Sequence, residues 1–307
     1  MEIYELRQKQ SLPLDIKLSM TKRRIRQWYE YWKGNIYIAF SGGKDSTVLL
    51  NIVRSLYPNV PAVYVNTGLE YPEINEFVNE IENVVILRPK MNFKQVLDNY
   101  GVPIISKKVA RQIRELRNPT KKNEATRKLF LTGITRNGNK TSNFKLSEKW
   151  KYLVDAPFGI SEECCNIMKK NPIKQYEKDS NRKGITGMMA SDSMLREKSY
   201  LKIGCNNYTG MKSNPLSFWL EKDIWDYIKK NNIKYCSIYD TGVKRTGCIF
   251  CMFGIHLEKT PNRFQLMQDT HPKLYKYCMN NLGLKEVLEY IHVPYKKPTT
   301  LGKWCKK

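Results

Sequence analysis

Short apolar runs and helically spaced apolar positions take turns along this chain. Residues 36–40, 62–65 and 84–87 are continuous apolar or aromatic runs of strand length. Around them the period lengthens. Ile25, Trp28, Tyr29 and Trp32 fall at i, i+3, i+4 and i+7, predicting an amphipathic helix over 15–33 with Asp15 as its N-cap after Pro13. A second helix starts at Thr47, a third covers 73–82 and a fourth 92–100. Farther on, 183–190 reads as another core strand. The stretch 215–228 turns helical in its second half, with Trp219, Ile224, Trp225 and Ile228 facing inward. Helices over 262–280 and 283–291 close the pattern. Such alternation predicts an α/β fold, a doubly wound and mostly parallel sheet, with a cysteine-rich helical part at the C-terminal end. The expected division is an N-terminal helix (1–34), an α/β domain (35–235) and a C-terminal part (236–307).

The joint after the first strand carries the chemistry. It reads Ser41, Gly42, Gly43, Lys44, Asp45, Ser46. Two glycines let the backbone bend and approach a ligand, and the first amides of the next helix point at it without intrahelical partners. The positive end of the helix dipole adds to their pull. Lys44 brings a full charge, Asp45 can hold Mg²⁺, and Ser46 can cap the helix or bind an oxygen. This is a phosphate cradle, and it is not a Walker A loop, because the spacing of that motif is absent. Open α/β sheets bind ligands at the carboxyl ends of their strands. That places Thr67 and Gly68 after the second strand, and Gly187 and Arg196 after the strand at 183–190, among the nucleotide-binding candidates.

Charge changes the picture next. The chain has 307 residues, with 53 Lys and Arg against 29 Asp and Glu, a net +24 that attracts polyanions. Part of the excess is concentrated. Residues 107–151 hold fourteen basic residues and three acidic ones, Glu115, Glu124 and Glu148. Phe130, Phe144, Trp150 and Tyr152 lie among or beside them, a composition suited to a nucleic-acid backbone with bases to stack. No apolar run has the length of a membrane span and the N-terminus is charged, so a cytoplasmic protein is expected.

Eight cysteines in such a setting point to metal or catalysis rather than to structural disulfides. Four of them pair locally: Cys164 with Cys165, and Cys248 with Cys251. Together they offer four thiolates, enough for zinc or for a 4Fe–4S cluster. Adjacent cysteines suit one tetrahedral ion poorly but can reach different irons of a cubane, which favours the cluster. Lys169, Lys170, Lys244 and Arg245 flank the pairs and would offset their negative charge. Cys205, Cys236 and Cys278 read as packing residues. Cys305, between Trp304 and Lys306, is a candidate nucleophile.

These segments resemble, in order, those of the phosphoadenylyl-sulfate (PAPS)/adenylyl-sulfate reductase-like family. That family belongs to the PP-loop (adenine nucleotide alpha-hydrolase-like) superfamily. The matching stretches are SGGKDS (41–46), NTGLEYPE (66–73), ECC (163–165), ITGMMASDSMLR (185–196) and YDTGVKRTGCIFC (239–251). The resemblance implies a Rossmann-like PP-loop domain in which Ser41 to Ser46 bind ATP or an adenylyl-sulfate nucleotide. It also implies that Cys164, Cys165, Cys248 and Cys251 hold a 4Fe–4S cluster. In such a reductase a cysteine thiolate attacks the sulfur of adenylyl sulfate and a thioredoxin-like reductant then frees sulfite. The sequence departs from that pattern in three places. The reductases' E-C-G-[LI]-H nucleophile segment is missing, and Phe253 stands where the cysteine would be, leaving Cys305 as the substitute. Met188 and Met189 follow Gly187 where the reductases carry an arginine. The intact SGGKDS is the form resembling enzymes that split ATP into AMP and pyrophosphate with Mg²⁺, among them those that insert sulfur into DNA or tRNA. Two functions are therefore expected to compete: reduction of an adenylyl-sulfate substrate, with Lys44, Asp45 and Cys305 as catalytic residues, and ATP-dependent sulfur transfer to a nucleic acid.

Overall fold

The apolar runs do become the centre of a sheet. In a computed structural model that describes residues 1–297, β1 (Ile36–Ala39), β2 (Ala62–Val65) and β3 (Val84–Leu87) are parallel neighbours. On the other side β1 pairs with β4 (Lys183–Thr186), also parallel, with Ile38 opposite Ile185. Two-residue strands β5 (Asn206–Asn207) and β6 (Lys212–Ser213) finish the sheet, giving the order β3-β2-β1-β4-β6-β5, with only β5 antiparallel. The strand order reverses between β1 and β4. The crevice at their carboxyl ends is where a doubly wound sheet takes its ligand.

The chain divides into two compact units. The first combines Met1–Pro89 with Lys170–Gly247, and the second combines Lys90–Lys169 with the chain from Cys248 onward. This grouping differs from the linear division expected from the sequence, and the reason lies in pairing. Helix α2 (Leu14–Tyr31) buries Ile25 and Trp28 completely. It is pinned to α7 (Glu221–Lys230) by a buried Lys17–Asp223 ion pair of 2.7 Å, and Trp219 donates its indole N–H to Thr21 at 2.9 Å. Removing one member of such a buried pair costs about 3–5 kcal/mol, so the N-terminal helices are part of the first unit's core. Asp15 is not the N-cap; Pro13 is, and Asp15 sits in the first turn, paired with Lys230 at 2.7 Å.

Between them run α3 (Lys44–Leu56), α4 (Pro72–Asn79), α5 (Asn171–Ser180) and α6 (Met194–Ile203), with α1 (Ile3–Ser11) leading the chain. The strand at β4 is shorter than the apolar run suggested. It ends at Thr186, and Gly187 to Met189 form an irregular turn at its carboxyl end.

The second unit is helical around two very short strands. Ile104–Ile105 pairs in parallel with Met252–Phe253. On its other side Val102 bridges to Ile160. The span 107–151 folds as helices Lys107–Arg117 and Glu124–Thr132 over a small core of Leu116, Phe130 and Leu146, with Trp150 packed against it. Phe130 and Trp150 are therefore packing residues; Phe144 and Tyr152 are the exposed aromatics of the span. The C-terminal helix expected over 262–280 breaks at Pro272 into Arg263–Thr270, Pro272–Lys276 and a π-turn, because proline cannot donate within a helix. Among the described residues no helix is long and apolar enough to cross a membrane.

Candidate functional site

The cradle forms where the fold says it should. Helix α3 starts at Lys44 with Gly43 as N-cap and no capping side chain. The loop is held by its own hydroxyls. Ser46 accepts from the Ser41 amide at 3.2 Å and donates to the Gly43 carbonyl at 2.8 Å, while Thr47 donates to the same carbonyl at 3.1 Å. Ser46 thus braces the turn rather than capping the helix. Gly187 presses on this loop from the end of β4. A Cβ there would come within 2.9 Å of the Asp45 carbonyl oxygen, so only glycine lets the two turns meet.

A cavity of about 470 Å³ opens above the loop. It is lined by Ser41, Gly43, Lys44, Asp45 and Ser46 from the cradle, and by Gly187 and Arg196 from beyond β4. Gly42 forms the turn behind, facing Ile74 and Val78. Thr67 and Gly68 do not line this cavity; Thr67 is buried and donates its amide and hydroxyl to Glu70. Asp192, Glu221, Tyr239, Arg245 and Thr246 also line it, with Ala39, Thr186, Met188, Met189 and Ser191. Asp192 and Tyr239 to Thr246 fall in the stretches 185–196 and 239–251 that resemble the family's, but spacing did not mark them as cavity lining.

Cationic and acidic side chains meet around the cavity. Arg196 pairs with Asp192, and Arg245 lies 3.6 Å from the same carboxylate. One oxygen of the Asp45 carboxylate is buried with no partner. Burial pushes the Asp45 carboxyl up, Lys44 pulls it down, and Asp192 and Glu221 push it up again. A buried, unpaired carboxylate oxygen beside further carboxylates is a donor that a hard cation would satisfy.

The second unit gathers both cysteine pairs. Its two short pairings place residue 160 and residues 252–253 on opposite sides of segment 102–105, and the cysteine pairs follow or precede them by a few residues. The crossing is tight: Gly101 has φ +98°, and a Cβ on it would strike the Gly159 carbonyl carbon at 2.3 Å. The sulfurs of Cys164 and Cys165 lie 4.0 Å apart. The Cys164 thiol is pushed far up by its hydrogen bond to Cys165 and by burial, then by the charges of Cys165, Cys251 and Cys248. The same bond pulls Cys165 down, with help from Lys107 and Lys169. Arg263 donates to the Cys251 carbonyl at 3.0 Å. Among the described residues no group of three or more His, Cys, Asp or Glu side chains converges as the ligand set of a single ion. The thiols stand near cationic side chains, with Lys107 and Lys169 acting on Cys165 and Arg263 on Cys251. Cys305 lies outside the described residues. Cys205, Cys236 and Cys278 are buried, each thiol pushed up by that burial.

Against known proteins, the model of the phosphoadenosine phosphosulfate reductase domain matches residues 35–136 and 96–253. The chain belongs to this family. It is 24% identical over 265 residues to an uncharacterized protein of Methanocaldococcus jannaschii, a match covering 82% of this chain and 49% of that protein, so the chain spans about half the length of this relative. It is 23% identical to an adenosine 5'-phosphosulfate reductase of Oceanobacillus iheyensis, over 74% of this chain and 76% of that enzyme. Among solved structures it is similar to phosphoadenylyl-sulfate reductase from Candida auris, with a TM-score of 0.43, 16% identity and coverage of 74% and 87% of the two chains.

Proposed function

We propose that this member of the reductase-domain family is an adenine-nucleotide enzyme of sulfur chemistry that binds Mg·ATP in the cradle of its first unit and cleaves it between the α- and β-phosphates. The observation that carries this reading is the buried, unpartnered oxygen of Asp45, a residue that lines a 470 Å³ cavity. Asp45 would hold a divalent cation such as the Mg²⁺ that accompanies ATP, and that cation would offset the charge of the phosphates. Arg196 and Arg245 would neutralise the charge that grows on the departing pyrophosphate. Cys164, Cys165, Cys248 and Cys251 would hold a 4Fe–4S cluster, which supplies a sulfur or electrostatic centre in a reducing, cytoplasmic setting. A nucleic acid is the acceptor that fits the exposed Lys121, Lys122, Lys128, Arg136 and Lys140 of the basic span.

A second reading, thiol-dependent reduction of an adenylyl-sulfate substrate with a thioredoxin-like reductant, draws support from the family itself and from the names of relatives such as the Oceanobacillus enzyme. It requires a nucleophilic thiol, for which Cys305 is the candidate. Anaerobically purified protein distinguishes the two. Pyrophosphate release from ATP and Mg²⁺, stimulated by RNA or DNA, is the expected result. Sulfite released from adenylyl sulfate with thioredoxin, and abolished by Cys305→Ser, would replace it with the reductase reading.

A further inference from the structure

The cradle's lysine does not face the cavity as a free charge. Lys44 is 5% exposed. Its ammonium donates to the Lys244 carbonyl at 3.0 Å and to Glu221 at 3.1 Å, and it stands 5.2 Å from the centre of the Tyr239 ring and 6.0 Å from that of Trp225. An ammonium has three N–H donors. A carbonyl and a carboxylate engage two of them, two aromatic rings stand within 6.0 Å, and Glu221 pairs with the charge.

Two of the four groups around Lys44, the Lys244 carbonyl and the Tyr239 ring, belong to one stretch, residues 239–246, and that stretch touches the loop at further points. The Lys44 amide donates to the Tyr239 hydroxyl at 2.9 Å. That hydroxyl lies 3.2 Å from the Thr246 hydroxyl. A Cβ on Gly43 would come within 2.8 Å of Thr246 and 3.2 Å of Tyr239, so the strap rests on the loop's backbone. An amide at the helix start is a natural phosphate donor. Here it is given to a phenol that shares a hydrogen bond with the Thr246 hydroxyl, and burial pushes that phenol's pKa up, keeping the proton on. Tyr239 and Thr246 thus put two hydroxyl-bearing side chains in the cavity lining beside the loop.

From this geometry we infer that Lys44 is a positioning residue: it clasps the strap 239–246 onto the cradle, and Tyr239, Arg245 and Thr246 of that strap make the phosphate contacts. This rests on the nucleotide reading for the identity of the ligand, but the clasp itself is a property of the free protein. It also explains why a loop so rich in donors needs a buried lysine: the charge organises a neighbouring segment instead of meeting the phosphates.

The test compares full-length wild type with Lys44→Met, Tyr239→Phe and the double variant, by amide hydrogen exchange of 239–246 without ligand and by equilibrium binding of ATP with Mg²⁺. Lys44→Met is expected to speed exchange of the strap about tenfold in the free protein. It should weaken ATP to a similar degree, with the double variant no worse than the poorer single one, as for residues acting through one structure. Exchange unchanged in Lys44→Met while ATP affinity falls, or additive losses in the double variant, would overturn the clasp and make Lys44 a direct phosphate ligand. Should Lys44→Met fail to fold, Glu221→Gln, on the exposed side of the same ammonium, is expected to raise strap exchange by a smaller factor; no rise would also overturn the clasp. If the wild type binds no adenine nucleotide, the nucleotide reading falls and the strap's role toward phosphate falls with it, while the exchange arm still decides whether Lys44 holds the strap.

Discussion

The two candidate sites are built in opposite ways. The cradle of the first unit comes from a contiguous six-residue loop whose shape is set by its own hydroxyls, with Ser46 tied to both Ser41 and Gly43. The thiol site of the second unit has no contiguous core. It is gathered from residues near 102–105, 160–165 and 248–253 by one two-residue strand pairing and one bridge. The loop of the first site keeps its shape through its own bonds while other segments complete its lining; the second site depends for its shape on every segment that converges. The contrast predicts where each will break.

Cys248→Ser should have the largest effect. With the proposed cluster on Cys164, Cys165, Cys248 and Cys251, the anaerobic variant is expected to lack the brown absorption at about 400 nm that the wild type should then show. ATP affinity, measured on the same sample, should stay within about twofold, since the cradle and its lining come from the first unit. Retained colour would remove Cys248 from the ligand set. Gly101→Ala comes next, because its Cβ would lie 2.3 Å from the Gly159 carbonyl carbon at a φ of +98°. A loss of about 2–5 kcal/mol is expected from the clash and the backbone strain together, against a typical total of about 5–15. Thermal unfolding measures it, and an unchanged midpoint would mean that the crossing of 101 and 159 does not hold the second site together.

In the first unit the effects should be smaller and confined to ligand. Gly187→Ala would push a Cβ to 2.9 Å from the Asp45 carbonyl oxygen and is expected to weaken ATP by about tenfold, that is about 1.4 kcal/mol. Asp45→Asn keeps the shape but removes the charge of the buried oxygen. The gain in ATP affinity that Mg²⁺ gives the wild type should then shrink toward about one, and a gain left intact would take the cation away from Asp45.

How much of this was legible in the sequence follows the same contrast. The strands at 62–65 and 84–87 fall where the apolar runs lie, and the loop at 41–46 sits at the strand–helix joint, because strand length and a glycine-rich turn are local signals. Tyr239, Arg245 and Thr246 lay in a stretch picked out by its resemblance to the family, but nothing near them or Glu221 in sequence tells that they reach a loop some 200 positions earlier. Thr67 looked like a ligand residue from its place at a strand end, yet its hydrogen bonds go to Glu70. In the second unit residue type alone pointed to the four cysteines. The segments that gather them, two residues long, are too short to carry any period. Aromatics misled in the basic span: Phe130 and Trp150 are spaced among lysines but pack inward, because a span of that length needs a core of its own.

That last misreading leaves the smallest effect to argue. The charge of 107–151 is not one uniform surface. Arg114 bonds Glu162 at 2.8 Å, and Arg117 donates to the carbonyls of Phe158 and Ala156 at 2.6 and 3.0 Å, so these two arginines hold the fold. Lys121 and Lys122 are exposed, and their side chains carry no such bond among the described residues. Replacing both lysines by alanine should leave stability within about 0.5 kcal/mol of wild type. It should also leave colour and ATP affinity alone. What should change is the slope of log affinity for a single-stranded RNA against log salt, which should become shallower by about 1.4, roughly 0.7 for each phosphate that a lysine no longer neutralises. An unchanged slope would make these lysines solvated surface and would move any nucleic-acid interface away from this turn. A slope that shifts only when Arg114 or Arg117 is replaced would mean that the fold-holding arginines also bind the backbone, and the separation between structural and free charge in the second unit would disappear.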